Sequence, residues 1–100
     1  MSAYMVIRAR IDNPEAFARY TQVVPALLKK YGGNYRVMGG KITVLEGHWP
    51  NGWTTVISEW PDKASAEKFW HSDDYQQAIE LRKNTGEFEV ILVDGIGEPG

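Results

Sequence analysis

The feature of this sequence that most constrains its fold is a set of predicted strands with apolar side chains on both faces. The first strand, residues 4–11, carries an apolar row of alternating side chains, and its opposite row also begins with two apolar residues, Tyr4 and Val6. The predicted strands at residues 53–60 and 88–94 show the same double pattern. A sheet with helices on one side and water on the other alternates apolar and polar side chains. These strands therefore predict a second apolar face.

We expect this second face to be covered by another copy of the chain. Helices can cover only one face of the sheet, and a large exposed apolar patch is unusual for a monomer and marks an interaction surface. The prediction is a homodimer in which the sheets of two chains pack face to face. The alternative is a single sheet with some tolerated surface hydrophobic residues, which are common.

Helix-capping residues place the first helix. Asn13 is a typical N-cap, and Pro14 suits the first helical position because its φ angle is already fixed. Pro25 lies inside the apolar stripe of this helix and removes one backbone hydrogen bond, so we expect a kink there. Gly32 can end the helix in a left-handed conformation.

Two further caps divide the second helical region. Asp62 begins it, and Ser72 restarts it after a break. The element order is then β-α-β-β-α-β, for which short connections and right-handed crossovers favour a ferredoxin-like fold. The predicted fold class is α+β, with both helices on one face of a four-stranded antiparallel sheet. We expect a single domain over residues 1–95 and a flexible tail at residues 96–100.

The segment after the first helix allows two interpretations. Residues 35–38 and 41–47 are both predicted to be extended, with Gly39 and Gly40 between them. The two glycines could form the two-residue turn of a hairpin. They could instead form a bulge within one long bent strand. Local chemistry does not decide between these alternatives.

Composition excludes several classes of function. The chain has 100 residues and a net charge of -2, which gives no basic field for binding nucleic acid phosphates. It has no cysteine, so disulfides and thiolate chemistry are excluded. No apolar run approaches the ~20 residues of a membrane span. The first residues lack the basic and apolar regions of a signal peptide, and we expect a cytoplasmic location.

Five short motifs occur along the chain: Tyr31-Gly32-Gly33, Gly39-Gly40, Leu45-Glu46-Gly47, Glu59-Trp60-Pro61, and Trp70-His71-Ser72 followed by Tyr75, Gln76 and Arg82. Together they resemble the bacterial family called domain of unknown function 1330, over roughly residues 4–95. The resemblance implies a dimeric α+β barrel, in which two ferredoxin-like chains join their sheets with the helices outside. Relatives in that superfamily include cofactor-free monooxygenases, isomerase-like enzymes and haem-degrading proteins, whereas the family itself has no settled activity.

Aromatic side chains are candidates for the walls of a pocket between the helices and the sheet. We expect Tyr20, Trp70 and Tyr75 to form these walls, with Glu59 and Arg82 fixing a polar group of a small, planar, partly apolar ligand. The alternative is that the aromatic side chains only fill the core. The protein would then be a structural or regulatory homodimer without catalytic activity.

Glu59 and His71 are the candidates for proton transfer, if the protein is a monooxygenase-like or isomerase-like enzyme. Glu46 and Glu59 are on predicted neighbouring strands, and two carboxylates facing one cavity would raise the pKa of one of them. The alternative is that they pair with strand arginines. His71 precedes Ser72, but a helix break explains these residues as caps. No histidine has a second ligand at metal-binding spacing, so we expect no metal and no cofactor.

Overall fold

The computed structural model describes residues 2–96, so residues 97–100 of the predicted tail lie outside the described residues. The strands are β1 (Ala3–Ile11), β2 (Asn34–Met38), β3 (Trp53–Trp60) and β4 (Gly86–Asp94), and the helices are α1 (Pro14–Lys30), α2 (Lys63–Trp70) and α3 (Asp73–Ile79), which a 3-10 turn, Glu80–Arg82, extends. The strands form one antiparallel sheet in the order β2-β3-β1-β4. The predicted α+β ferredoxin-like fold is confirmed.

Each helix begins at its predicted cap, where a side-chain oxygen accepts a hydrogen bond from a backbone amide of the first turn. The caps and the residues that donate to them are Asn13 and Ala16 (3.1 Å), Asp62 and Ser65 (2.7 Å), and Ser72 and Tyr75 (3.1 Å). Helix α1 continues through Pro25 to Lys30, and Gly32 follows it with a φ of 96°. None of the helices in the described part of the chain combines the length and apolar character that a membrane crossing needs.

The connection between β2 and β3 differs from both interpretations of the two glycines. Strand β2 ends at Met38, and residues 40–52 form a loop, so the predicted strand at residues 41–47 was wrong. Its alternating apolar residues have no neighbouring strand to pair with, and Leu45 is 92% exposed. The bulge lies inside β2 instead, where the register against β3 shifts between Tyr35 and Val37.

The core lies between the helices and one face of the sheet, which we call the helix-side face. Its most buried side chains are aromatic: Trp60 and Tyr75 each contact Phe69, with ring centroids 4.9 and 4.5 Å apart. This aromatic cluster joins β3 to α2 and α3. It fills one end of the space between the helices and the sheet and leaves the other end to α1.

The other face of the sheet, which we call the open face, carries an apolar row across all four strands. In the strand register Val37 pairs with Ile57, Ile57 with Val6, and Val6 with Ile91. Ile91 is 58% exposed. The structure thus places apolar side chains on both faces of the sheet, as the double pattern predicts.

Charged side chains lie on the open face next to this apolar row. The Arg8 guanidinium binds the Glu89 carboxylate at 2.9 Å and lies 4.7 Å from the centre of the Trp53 ring. Arg10 pairs with Asp12 at 2.9 Å. The open face therefore changes from an apolar end to a charged and aromatic end along the strands.

Candidate functional site

A cavity of about 240 Å³ lies between α1 and the helix-side face of the sheet. Most of its lining is apolar, and the larger apolar side chains are Ile7, Ile11, Phe17, Val24, Val56 and Phe88. Ala9 and Thr54 also line it, and they are cross-strand partners on β1 and β3. Because both side chains are small, the sheet leaves room below α1 at this point.

A pair of tyrosine hydroxyls lies at one side of the cavity. The hydroxyls of Tyr20, on α1, and Tyr75, on α3, are 2.7 Å apart and share a hydrogen bond in which either can donate. Tyr20 lines the cavity and is only 9% exposed. Burial, and next the neighbouring Tyr75, raises the pKa of Tyr20 far above its ordinary value of 10.0. Tyr20 is therefore uncharged at neutral pH, and its hydroxyl can take part in a hydrogen bond as a donor.

A third tyrosine reaches the same cavity from β2. Tyr35 lines it, and burial, with a smaller effect of Tyr75, raises the pKa of Tyr35 to about 12. The apolar surroundings therefore keep this phenol in its neutral form as well.

Arg82 is the one cationic residue among the described residues that line the cavity. It is 8% exposed, and its guanidinium lies 4.3 Å from the centre of the Phe88 ring and 5.5 Å from that of Tyr20. Within residues 2–96 it forms no salt bridge, and its Nε atom is buried without a hydrogen-bond partner. Aromatic faces can stabilise such a cation, but they leave its N–H groups unsatisfied.

The backbone around Arg82 is held by the turn that ends the helical region. Both the amide nitrogen and the hydroxyl of Thr85 donate hydrogen bonds to the Arg82 carbonyl oxygen, at 3.2 and 2.6 Å. The Thr85 carbonyl oxygen in turn accepts from the amides of Asp12 and Asn13. The turn is therefore tied to the end of β1 and the start of α1, which fixes the position of Arg82 beside the cavity.

The structure brings together three of the side chains expected at the site, namely Tyr20, Tyr75 and Arg82. Trp70 packs against Tyr75, with ring centroids 5.1 Å apart, but it lines a separate groove beside α2 and β4. Glu59 and His71 do not line the cavity. The five expected ligand-contacting residues are therefore divided between different surfaces of the protein.

Glu59 lies on the open face of the sheet. Its carboxylate accepts a hydrogen bond from the Arg36 Nε atom at 2.8 Å and one from the Tyr4 hydroxyl at 3.5 Å. The hydrogen bond and charge of Arg36 lower the pKa of Glu59. Glu46 lies in the exposed loop before β3. The alternative in which Glu59 pairs with a strand arginine is confirmed.

His71 ends α2, where its amide donates to the Glu67 carbonyl oxygen at 2.9 Å, and its side chain is exposed. The neighbouring Ser72 hydroxyl donates to the Phe69 carbonyl oxygen and accepts from the Tyr75 amide, so it acts as a helix cap. Within the described part of the chain, no group of three or more His, Asp or Glu side chains is placed to hold a metal ion.

Among the residues that line the cavity, the sequence analysis named only Tyr20 and Arg82 as site residues, and those that it missed include Ala9, Thr54 and Tyr35. Ala9 and Thr54 matter because they are small and face each other across two strands, which only the register reveals. Tyr35 was assigned to a strand, but the bulge that follows it fixes the face that it occupies.

Comparisons with known proteins identify a family for this chain. The family model described as Domain of unknown function (DUF1330) matches residues 2–96. No curated protein matches the chain.

Solved structures with a similar fold cover nearly the whole chain. RPA0582, a protein of unknown function from Rhodopseudomonas palustris, is 20% identical over 96% of this chain and 83% of that one, with a TM-score of 0.76. A dimeric ferredoxin-like protein of unknown function from Jannaschia sp. CCS1 is 11% identical over 95% of this chain and 100% of that one, with a TM-score of 0.71. SnoaB, a cofactor-independent oxygenase from Streptomyces nogalater, is 13% identical over 96% of this chain and 94% of that one, with a TM-score of 0.69. At these identities the similarity shows a shared fold.

Proposed function

This chain belongs to the DUF1330 family, and because that description names no activity, we propose a function from its own residues: it binds a small, partly apolar molecule in the cavity between α1 and the sheet. The observation that carries the proposal is the cavity itself, an apolar space of about 240 Å³. Well-packed interiors contain few voids larger than a water molecule. A concave, mostly apolar space with a few polar groups has the character of a ligand site, and at about 240 Å³ it is a small one.

The volume of the cavity limits the size of the ligand. An apolar cavity of about 150 Å³ can hold benzene. A cavity of about 240 Å³ therefore has room for one substituted ring or a short branched chain. Fused polycyclic molecules would need the surrounding side chains to move.

Filling the cavity is expected to abolish ligand binding without unfolding the protein. Ala9 is 4% exposed and lines the cavity from β1, so Ala9→Leu places a larger apolar side chain in the space that the ligand needs. We expect small single-ring compounds such as benzoate and benzamide to raise the unfolding temperature of the wild type. Ligand at ten times its dissociation constant stabilises the folded state by about 1.4 kcal/mol. The Ala9→Leu variant should show no such stabilisation.

Ala64→Leu is the matched control for this experiment. Ala64 is exposed on α2, so the same substitution there should leave ligand binding unchanged. Two-dimensional NMR spectra should place the shifted amides around the cavity. If no single-ring compound shifts them or changes the unfolding temperature, the protein does not bind ligands there, and the structural homodimer is favoured.

The second part of the proposal is a homodimer joined through the open faces of two sheets. The apolar row that contains Val6 and Ile91 lies on this face, and no element of residues 2–96 covers it. A two-fold axis through the face would place the apolar rows of the two chains together. The similar protein from Jannaschia sp. CCS1 is described as dimeric, which supports the proposal.

A lysine in the apolar row is expected to dissociate this dimer. The Ile91→Lys substitution would bury two like charges, one from each copy, and we expect the dimer to weaken by at least about a hundredfold. The measurement is sedimentation velocity and native mass spectrometry of the wild type and the variant. Val23→Lys is the control, because Val23 is a similarly exposed apolar residue (41%) but lies on α1. A wild type that is monomeric at micromolar concentration would contradict the dimer.

A further inference from the structure

We propose that the ligand of the α1 cavity is a carboxylic acid whose carboxylate binds the Arg82 guanidinium, and this inference rests on the proposed binding function. The cavity then accepts a small acid with one aromatic ring or a short branched chain. The apolar walls would contact the hydrocarbon part, and Arg82 with the Tyr20–Tyr75 hydroxyl pair would contact the charged part.

Arg82 is more buried than the arginines on the strands but has no counter-ion among residues 2–96. Arg8, Arg10 and Arg36 each bind a carboxylate on or beside the sheet, although their side chains are 37%, 38% and 59% exposed. Arg82 is 8% exposed and forms no salt bridge among the described residues. A buried charge is costly unless it is paired. The most buried of these four cations is thus the one without a counter-ion among residues 2–96, and we assign that role to the ligand.

The surroundings of Arg82 give its guanidinium no hydrogen-bond partner among the described side chains. The Phe88 ring lies 4.3 Å from the guanidinium carbon, which is a contact with the face of an aromatic ring. Such a contact stabilises the charge but satisfies none of the five N–H groups. The buried Nε atom has no partner within residues 2–96. A carboxylate matches this planar, forked set of donors and can bind it through two parallel hydrogen bonds.

The tyrosine pair supplies a further donor on the same side of the cavity. Two hydroxyl groups carry two protons, and the hydrogen bond between Tyr20 and Tyr75 uses one of them. The other proton is available to an acceptor in the cavity, which Tyr20 lines. The polar part of the cavity therefore offers N–H and O–H donors around one cation, whereas no carboxylate lines it among the described residues. This donor set favours an anionic ligand over a neutral one of the same shape.

The test compares benzoate with benzamide, which have nearly the same shape but differ in charge. Titration of the isotope-labelled protein, followed by NMR, gives both dissociation constants under the same conditions. We expect wild-type protein to bind benzoate at least about tenfold more tightly than benzamide, since each 1.4 kcal/mol of added interaction is tenfold. Arg82→Met should abolish this preference, and Arg82→Lys should keep part of it. Arg19→Gln, which removes an exposed arginine from α1, should leave it unchanged.

The unfolding temperature of Arg82→Met distinguishes ligand binding from a structural role, because a structural role predicts a lower unfolding temperature for this variant. A buried charge without a partner destabilises the folded state, so its replacement by an apolar side chain should keep or raise the unfolding temperature. A lower unfolding temperature for this variant, with the benzoate preference retained by Arg82→Lys at wild-type strength, would make Arg82 structural and overturn the inference.

Different results would contradict the carboxylate inference and the small-molecule function. Equal binding of benzoate and benzamide by the wild type would overturn the carboxylate assignment but keep the small-molecule function. Absence of binding by both compounds would count against the cavity as a ligand site and would remove the basis of the carboxylate inference. The comparison in the wild type does not depend on whether any variant folds.

Discussion

Raising the pH above 10 is expected to destabilise the protein steeply, and Tyr20→Phe is expected to remove a large part of that loss. Burial raises the pKa of Tyr20 above its ordinary value of 10.0, so the folded state keeps the phenolic proton that the unfolded state releases. The stabilisation is complete below pH 10 and falls as the pH rises above it, by about 1.4 kcal/mol per pH unit for this one group. Tyr35, whose pKa is raised to about 12, adds to the loss between pH 10 and 12.

This loss is a substantial fraction of the whole stability of the protein. A domain of this size unfolds with a free energy of about 5–15 kcal/mol, so two pH units of loss from one buried tyrosine remove a large part of it. Urea unfolding at a series of pH values up to about 12 measures the slope. Because lysines also titrate in this range, the informative quantity is the difference in slope between the wild type and Tyr20→Phe.

The tyrosine variant has its own cost at neutral pH. Tyr20→Phe leaves the buried Tyr75 hydroxyl without its partner, which costs about 1–3 kcal/mol, but this cost does not depend on pH below 10. Tyr31→Phe is the control, because Tyr31 is only partly buried and follows α1. Parallel stability curves above pH 10 for the wild type and Tyr20→Phe would show that Tyr20 is not held neutral by burial.

The sequence was sufficient to predict those features of the fold that depend on local chemistry. Asn13, Asp62 and Ser72 each satisfy backbone amides a few residues further along the chain, so the start of each helix is determined by its own segment. The fold class follows from the order of the elements, because short connections and handedness leave few arrangements. The pattern of apolar side chains on both faces needed only the two-residue period of a strand.

The sequence was insufficient to predict those features that depend on pairing between distant segments. Residues 41–47 have the alternation of a strand, but in this chain no neighbouring strand is available to them, so they form a loop. Glu59 alternates along β3 with Ser58 and Trp60, which are buried on the helix side, so the strand period places it on the open face away from the cavity. Its ion pair with Arg36 depends on the pairing of β2 with β3, whose register shifts at the bulge between Tyr35 and Val37.

In the candidate site, too, some features could be predicted from the sequence and others depend on contacts between distant segments. Tyr20 and Tyr75 were expected as aromatic walls and Arg82 as the group that fixes a polar part of the ligand, and the structure brings these three together. That Arg82 has no counter-ion within residues 2–96 was not predictable, since it depends on where the acidic residues lie in the fold. The size of the cavity depends on Ala9 and Thr54 meeting across two strands, which is also a consequence of register.

Gly86→Ala is expected to destabilise the protein by about 3 kcal/mol or more, because the added methyl group has no space. Gly86 begins β4 and pairs with Ile11 at the end of β1. A Cβ atom at this position would overlap the Arg10 carbonyl oxygen and lie 3.0 Å from the Ile11 Cα atom. These are backbone atoms of the central strand, so the clash cannot be relieved by rotating a side chain. Urea unfolding measures the loss.

Gly40→Ala is the matched control, because nothing lies within 4 Å of a Cβ atom at Gly40. That substitution restricts only the unfolded chain and should leave stability unchanged or raise it by less than about 1 kcal/mol. Gly86 directly follows Thr85, whose carbonyl oxygen accepts hydrogen bonds from the end of β1 and the start of α1. If β4 shifts to accommodate the methyl group, this turn moves with it, and Arg82 loses its position beside the cavity. We therefore expect any folded Gly86→Ala protein to bind benzoate more weakly than the wild type, whereas wild-type stability and binding together would refute the pairing of Gly86 with Ile11.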